Sequence, residues 1–399
     1  MTTVHDPLLT EEPGADVVGT ATALLDAYRP DTDRFFASPT RTLLARGDGL
    51  PVPHDARPLT ERVEAVLAQA RAAGHPEPVV MGAIPFDASA PAALTVPGHL
   101  RRGPALGKDP LIALPAPATE DITWEIRPVP EPDAYASAVA AAVHRMSAGE
   151  FRKVVLARAL DLSGDSSPDL PGMLQRLARR DPHGYTFAIP TGTERTLLGA
   201  SPELLVSRRG RSLLANPLAG SAPRSSDLAE DVRRAAALLE SPKDLLEHAV
   251  VVNAIGEALA PYCADLVVPE RPTLVKSAAM WHLSTTITGT LGPLPASALE
   301  LACALHPTPA VCGDPTDRAR DVISELEPFD RGLYSGVVGW GDAAGDGEWV
   351  VTIRCAEAGP DSLRLFAGAG VVASSDPAAE TAETTAKFRT FLEAVGARL

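Results

Sequence analysis

Three apolar runs punctuated by Gly and Asp follow one another near the C-terminus. They are Leu333 to Trp340, Trp349 to Ala356 and Ser362 to Ala367, and they predict successive strands. The middle run carries one cation, Arg354, between Ile353 and Cys355. An arginine in an apolar strand is costly without an anionic partner, so this sheet is expected to present Arg354 to a negative charge.

The earlier part of the chain alternates the two periodicities. Helical spacing over Val17 to Tyr28 and Leu59 to Ala73 flanks the segment FFASPTRTLLARG, and VVMGAIPFDA reads as a buried strand. Asp109 to Glu120 reads as a connecting loop or an extended edge. Tyr135, Val139, Val143 and Met146 recur at helical spacing and stop before Gly149. FRKVVLARAL then predicts a strand with Lys153 on the face of Val155 and Ala157. A second strand begins at Glu203 in SPELLVSRRG. Pro217 to Arg224 predicts a small-residue loop in which Gly220 and Ser221 offer unobstructed backbone N–H groups.

Two helices and a terminal one complete the pattern. Asp227 to Leu239 is amphipathic, and Ser241-Pro242-Lys243-Asp244 supplies an N-cap, a first-turn proline and an acidic capping residue for the next helix. Glu247 lies one turn before Val251, on or beside the apolar face. Asp376-Pro377 opens the last helix, with Glu380, Glu383 and Lys387 at spacings of three and four and Phe388, Phe391, Leu392 and Val395 as its apolar face.

Composition narrows the function classes. A chain of 399 residues accommodates two or three core-sized units or one large mixed fold, and 45% hydrophobic with 22% charged residues excludes disorder. A net charge of −15 argues against a nucleic-acid or anionic-membrane partner. An anionic small molecule would need a locally positive or metal-filled pocket. No apolar run is long enough to cross a bilayer, and the N-terminal stretch lacks a basic n-region and an apolar h-region, so a cytoplasmic protein is expected. Cys263, Cys303, Cys312 and Cys355 form no C-x-x-C pair and are expected as reduced thiols.

The candidate chemistry has two readings at each position. Lys153 at a strand start is either solvated or buried enough to act as a base. Glu383 and Lys387 are either a surface pair, contributing roughly 0.2 to 0.5 kcal/mol, or part of a set in which Glu247, Glu380 and Glu383 offer oxygen to a hard dication such as Mg²⁺. Spacing leaves both open.

Taken in order, KVVLAR, SPELL, PLAGS-x-PR, SPKDLLEH, MWHLSTTITG, LHPTPAVCG, ELEPFDRGLYSGVVGW, WVVTIR, LFAGAG and the terminal E-x-x-E-T-x-x-K resemble the chorismate-utilising enzymes, and among them the isochorismate synthases. The likeness runs from about Glu131 to the C-terminus. FFASPTRTLL and GAIPFDA carry a looser likeness upstream. The resemblance implies an α+β fold, a single large domain over residues 1–399 of two stacked antiparallel β-sheets wrapped by helices. Residues 1–125 would form a divergent N-terminal part and residues 131–399 the motif-bearing catalytic part. It further implies Mg²⁺, the dicarboxylate chorismate, a monomer, and hand-over of product to downstream isochorismate-using enzymes of siderophore or menaquinone pathways.

The implied reaction adds water at ring carbon 2 while the hydroxyl at carbon 4 departs, which needs one group to deprotonate water and another to protonate the leaving oxygen. By resemblance Lys153 is the base and Glu203 the acid, Glu247 and Glu383 hold Mg²⁺, and Glu380 stands nearby and acts through water. Arg354 and Tyr334 match positions that hold the pyruvyl carboxylate. Gly220, Ser221, His282, Ala310, Val311, Ile353, Phe366, Gly368 and Lys387 match the remaining substrate shell, and His306 is read as loop structure. Lys153 stands where ammonia-using members carry Gln and Ala219 where the aminodeoxychorismate branch carries Lys, so water is the expected nucleophile. No glutamine amidotransferase segment is present in the 399 residues. Tyr334 departs from the Phe of isochorismate-releasing siderophore members and matches salicylate-forming ones, whereas Ile353, Phe366 and HPTPAVCG match the releasing type. Salicylate synthase is therefore the alternative. A catalytically silent binding protein would have lost functional side chains, yet Lys153, Glu203, Glu247, Arg354 and Glu383 are all present.

Overall fold

The computed structural model describes residues 17–119, 122–192, 194–277 and 279–397; the N-terminal stretch read above for targeting signals and Glu120 lie outside the described residues. Seventeen antiparallel strands join into one hydrogen-bonded ribbon. One half of it runs from Cys263–Val267 through Ile287–Leu291, Ser212–Asn216, Leu204–Arg209, Gly347–Val351 and Val337–Asp342 to Val79–Ile84. Ala93–Pro104 and Arg41–Pro51 bridge to the other half. That half runs through Arg34–Ala37, Tyr185–Gly192, Arg195–Ser201, Cys355–Ala358 and Ser362–Val372 to Lys153–Gly164, whose far edge is covered by Trp124–Val129 and Gly313–Asp314.

The halves pack face to face because their central strands, such as Val79–Ile84 and Gly347–Val351, are buried on both sides. Met81, Val338 and Trp340 from one half share a core with Phe36, Phe187 and Phe366 from the other. Helices Leu59–Ala72, Pro242–Leu259 and Ala298–Leu305 cover the outer face of the first half. Thr20–Asp26, Leu170–Arg180 and Pro377–Val395 cover the second, and Pro132–Ser147 with Thr316–Leu326 close its end. This is the expected α+β architecture, its two stacked layers being halves of one ribbon. The N-terminal residues supply the strands that connect the halves.

Three local expectations change. The run from Trp349 to Ala356 is two strands, Gly347–Val351 and Cys355–Ala358, and Arg354 sits in the break between them at φ 50. The apolar pattern could not report this, because Thr352 and Ile353 are as strand-like as their neighbours. Leu333 to Ser335 forms a turn, with Ser335 at φ 59, before the strand Val337–Asp342 begins. The small-residue segment expected as a loop is the strand Leu218–Pro223, paired with Met280–Ser284 and through it with Thr273–Lys276 in a second, three-stranded sheet. A register shift between Leu218 and Ser221 leaves Gly220 at φ 79, close against Asp244 Cβ, where a side chain would be both strained and crowded. The four cysteines are free thiols.

Candidate active site

A cleft enclosing about 660 Å³ of space open to solvent lies where the Lys153–Gly164 and Ser362–Val372 strands, the three-stranded sheet and two helices converge. The wall built by the large sheet's strands and the turns and breaks that join them, the strand wall, holds Glu203, Tyr334, Ile353, Arg354, Phe366 and Gly368. Gly220, Ser221 and His282 come from the small sheet, Ala310 and Val311 from the loop after Ala298–Leu305, and Glu247, Glu383 and Lys387 from the helices. Of the residues expected at a site, only Lys153 and Glu380 do not line it; both are buried just behind the wall.

Lys153 opens its strand with 0% exposure, and its Nζ lies 3.1 Å from Glu247 Oε1. Gly370, in the neighbouring strand, makes the room: a Cβ there would run into Glu247 Oε1 and lie 3.2 Å from Lys153 Cε. Glu203 is buried immediately before the Leu204–Arg209 strand and receives one long hydrogen bond, from the Leu218 N–H at 3.4 Å. Burial pushes its carboxyl up to about 8, and the opposing attraction of Lys153 and Lys387 does not offset this. The group is protonated at neutral pH.

Arg354 is the counterpart on the same wall. The positive φ at its Cα and the bond from Ala200 N–H to its carbonyl, 3.0 Å, fix its backbone. Its guanidinium makes no ion pair among the described residues, and burial lowers its pKa to about 10 despite the attraction of Glu383. Beside it, Tyr334 stacks on Phe366 with ring centroids 4.8 Å apart and planes 7° from parallel. The Tyr334 hydroxyl occupies the space over Gly368, 2.7 Å from where a Cβ would stand. Burial, then the charges of Arg354 and Lys387, hold His282 well below its ordinary pKa, so it is neutral.

The helical wall is built on different terms. Ser241 caps Pro242–Leu259 by accepting the Asp244 N–H, and Asp376 caps Pro377–Val395 by accepting the Ala379 N–H at 2.8 Å. These caps set where Glu247, Glu380 and Glu383 project. Glu383 Oε1 lies 2.7 Å from Lys387 Nζ and accepts the Ser221 hydroxyl at 2.8 Å. Burial would raise Glu383, but Lys387 outweighs it and the pKa is lowered. Lys387 also donates to Gly368 O at 2.8 Å. Glu380 Oε1 lies 2.6 Å from Lys243 Nζ, while burial and the charge of Glu383 raise its pKa. Among the described residues no three metal-binding side chains form a preassembled cage. The donor chemistry nevertheless suits a hard cation: three carboxylates from two helices, with Glu380 Oε2 buried and without a hydrogen bond.

Sequence reasoning missed Gly370, whose signal was the second Gly of LFAGAG, and His248. The latter is buried with Nδ1 3.1 Å from Ala219 O and Nε2 2.7 Å from Thr285 Oγ1. Burial brings it down to about 4, so it is neutral, with Nδ1–H donating to the carbonyl and Nε2 accepting from the hydroxyl. His306 lies outside the cleft, its Nε2 3.0 Å from Pro85 O.

Comparison with known proteins is consistent with this arrangement. A family profile described as chorismate binding enzyme matches residues 113–396. Isochorismate synthase DhbC of Bacillus subtilis is 50% identical over 384 residues, 94% of this chain and 96% of its own. Isochorismate synthase EntC of Escherichia coli K12 is 40% identical over 369 residues, 91% and 94% of the two chains. The solved structure of DhbC from Bacillus anthracis superposes with a TM-score of 0.89 at 49% identity, covering 95% of this chain and all of that one. The menaquinone-specific isochorismate synthase MenF from Escherichia coli superposes at 0.80 with 25% identity, covering 94% and 91%. Isochorismate synthases are isomerases, and they need a metal ion. No helix among the described residues is long and apolar enough to cross a membrane. With a profile spanning most of its length and relatives matched nearly end to end, the chain belongs to the chorismate-binding enzyme family.

Proposed function

We propose that this chain converts chorismate to isochorismate with Mg²⁺ as its metal. The observation that carries the reading is a buried, protonated Glu203 in the wall of one cleft, with a buried lysine, Lys153, just behind that cleft's lining and, on the same wall as Glu203, an arginine that makes no ion pair among the described residues. Arg354, with the Tyr334 hydroxyl, takes the pyruvyl carboxylate. Glu247 and Glu383 are the carboxylates that would hold the metal, with Glu380 as a further carboxylate beside them. Bound there, Mg²⁺ supplies the positive charge that a ring carboxylate needs among three glutamates.

The remaining chemistry belongs to side chains. To act as the base Lys153 must first lose its own proton to solvent and with it the ion pair to Glu247; as the neutral amine it then takes a proton from the water that adds at ring carbon 2. Glu203 passes its proton to the oxygen leaving carbon 4, so hydroxide departs as water and the sum is an isomerisation. Ala219 offers no amine to compete with water at this point. The stacked Phe366 and the neutral His282 exclude bulk water without adding charge. The salicylate-forming alternative adds pyruvate elimination in the same cleft, and it has less support, because the relatives are isochorismate synthases. Relatives include vibriobactin-specific and menaquinone-specific enzymes, so either pathway type is compatible. We read the enzyme as a cytoplasmic monomer, which size-exclusion chromatography tests.

The deciding experiment is incubation with chorismate and chromatographic separation of products, with and without a chelator. Isochorismate formed only when Mg²⁺ is available is expected. Salicylate and pyruvate as main products would overturn the release-only reading, and turnover undiminished by chelation would remove the metal.

A further inference from the structure

Each acidic side chain on the helical wall carries its own ammonium partner: Glu247 with Lys153, Glu383 with Lys387 and Glu380 with Lys243. Two of these lysines have other work at the cleft. Lys153 is the proposed base, and Lys387 also holds the Gly368 carbonyl. Lys243 has a single hydrogen-bond partner among the described residues, Glu380 Oε1 at 2.6 Å. It sits in the first turn of Pro242–Leu259, one turn before Glu247, and reaches across to the C-terminal helix. Its attraction extends to Glu247 and Glu383 as well.

The two ends of this pair are unequal. Glu380 is 1% exposed and fixed among helices, whereas the Lys243 side chain is 31% exposed and has solvent to retreat into. A cation approaching Glu380 finds one oxygen already engaged by Lys243 and the other, Oε2, buried without a well-formed hydrogen bond, the Ser375 hydroxyl being the neutral donor close to the carboxylate. We propose that Lys243 is a resident counter-cation for Glu380, one that ties the two helices together in the metal-free protein and must withdraw for a divalent cation to gain that carboxylate, and so sets how tightly the metal is held. The inference rests on the reading of Glu247, Glu380 and Glu383 as the metal's carboxylates. It requires no change of protonation; one cation is exchanged for another at a fixed anion, and Lys243 touches no substrate atom.

The test is calorimetric titration of MgCl₂ into substrate-free wild type, K243M, E380Q and the double variant, together with melting temperatures with and without MgCl₂. Because one partner is buried and the other a third exposed, loss of Lys243 is expected to tighten Mg²⁺ about tenfold, between the small effect of exposed pairs and the large one of buried pairs. K243M should also melt lower than wild type without metal and gain more from adding it. The tightening should vanish in the E380Q background, since the lysine acts through that carboxylate. K243R, which keeps the charge, should bind Mg²⁺ as wild type does, and it guards against a folding defect in K243M. Equal or weaker binding by K243M in a wild type that does bind Mg²⁺ would overturn the role of Lys243 and leave the metal reading standing. Tightening that persists beside E380Q would overturn it too, as a long-range charge effect. If none of the four proteins binds Mg²⁺, the metal reading fails and the inference fails with it.

Discussion

The two walls of the cleft treat charge in opposite ways. On the helical wall every carboxylate is matched by a lysine within 3.1 Å. On the strand wall Glu203 and Arg354 make no ion pair among the described residues, and burial pushes both toward their neutral forms, Glu203 up to about 8 and Arg354 down to about 10. Glu203 sits just before one strand and Arg354 in the break between two, so the neighbouring ladders fix their backbones while their uncompensated burial remains a cost that the rest of the fold must offset. Side chains on helices project into the cleft and, left uncompensated, would repel one another. The unpaired wall is therefore suited to proton transfer and anion capture, and the paired wall to cation exchange.

Changes that erase this contrast should have effects that fall off with distance from the reacting atoms. The largest is expected from Glu203→Gln, which keeps shape and neutrality but has no proton to give. Turnover should fall by roughly 10² to 10⁴, and the decline of wild-type kcat/KM above about pH 8, where Glu203 ionises, should be absent from the residual activity. A variant with near-normal turnover would remove Glu203 from the acid role. Next comes Arg354→Lys, which preserves charge but not the fork. KM for chorismate should rise by about 10- to 100-fold, the loss of one charge-assisted hydrogen-bonded contact, with kcat less affected. An unchanged KM would mean that the pyruvyl carboxylate lies elsewhere.

Gly370→Ala tests the junction of the two walls. Its methyl would collide with Glu247 Oε1 and crowd Lys153, so a destabilisation of about 1 to 3 kcal/mol is expected by thermal unfolding, the usual cost of overpacking. Activity should fall with it. The effect furthest from the chemistry itself is on stability against pH. The folded-state pKa of Glu203 is raised above its unfolded value, so its contribution is full below about pH 4.5 and is lost as pH rises toward 8. Wild type should therefore lose stability relative to E203Q across that window, by about 1 kcal/mol or more, and the gap should stay constant above it. A gap that narrows with rising pH would mean Glu203 is ionised in the fold.

Much of this was legible in the sequence, for reasons that differ by element. The capped helices announced themselves through Ser241-Pro242 and Asp376-Pro377, and their spacing put Glu247 on or beside an apolar face but left Glu383 open between a surface pair and a site residue. Lys153 and Glu203 were placed at strand starts by local pattern, but only the resemblance to a family brought strands fifty residues apart to one cleft. The backbone at Arg354 was not legible, because a left-handed residue directly after the β-branched run Val350 to Ile353 leaves no trace in hydrophobic periodicity. Nor was the strand at Leu218–Pro223, since its residues are small and its pairing partner, Met280–Ser284, lies some sixty residues away. The lysine partners of the glutamates were illegible except for Lys387, which shares a helix face with Glu383; Lys153 and Lys243 meet theirs across tertiary contacts.

The central claim, that water rather than an internal hydroxyl shift delivers the new oxygen while Glu203 releases the old one, is tested most directly by running the reaction in ¹⁸O-labelled water and weighing the product. Isochorismate carrying one heavy oxygen, in its ring hydroxyl, is the expected result. Isochorismate without label, formed from chorismate in labelled water, would contradict the account.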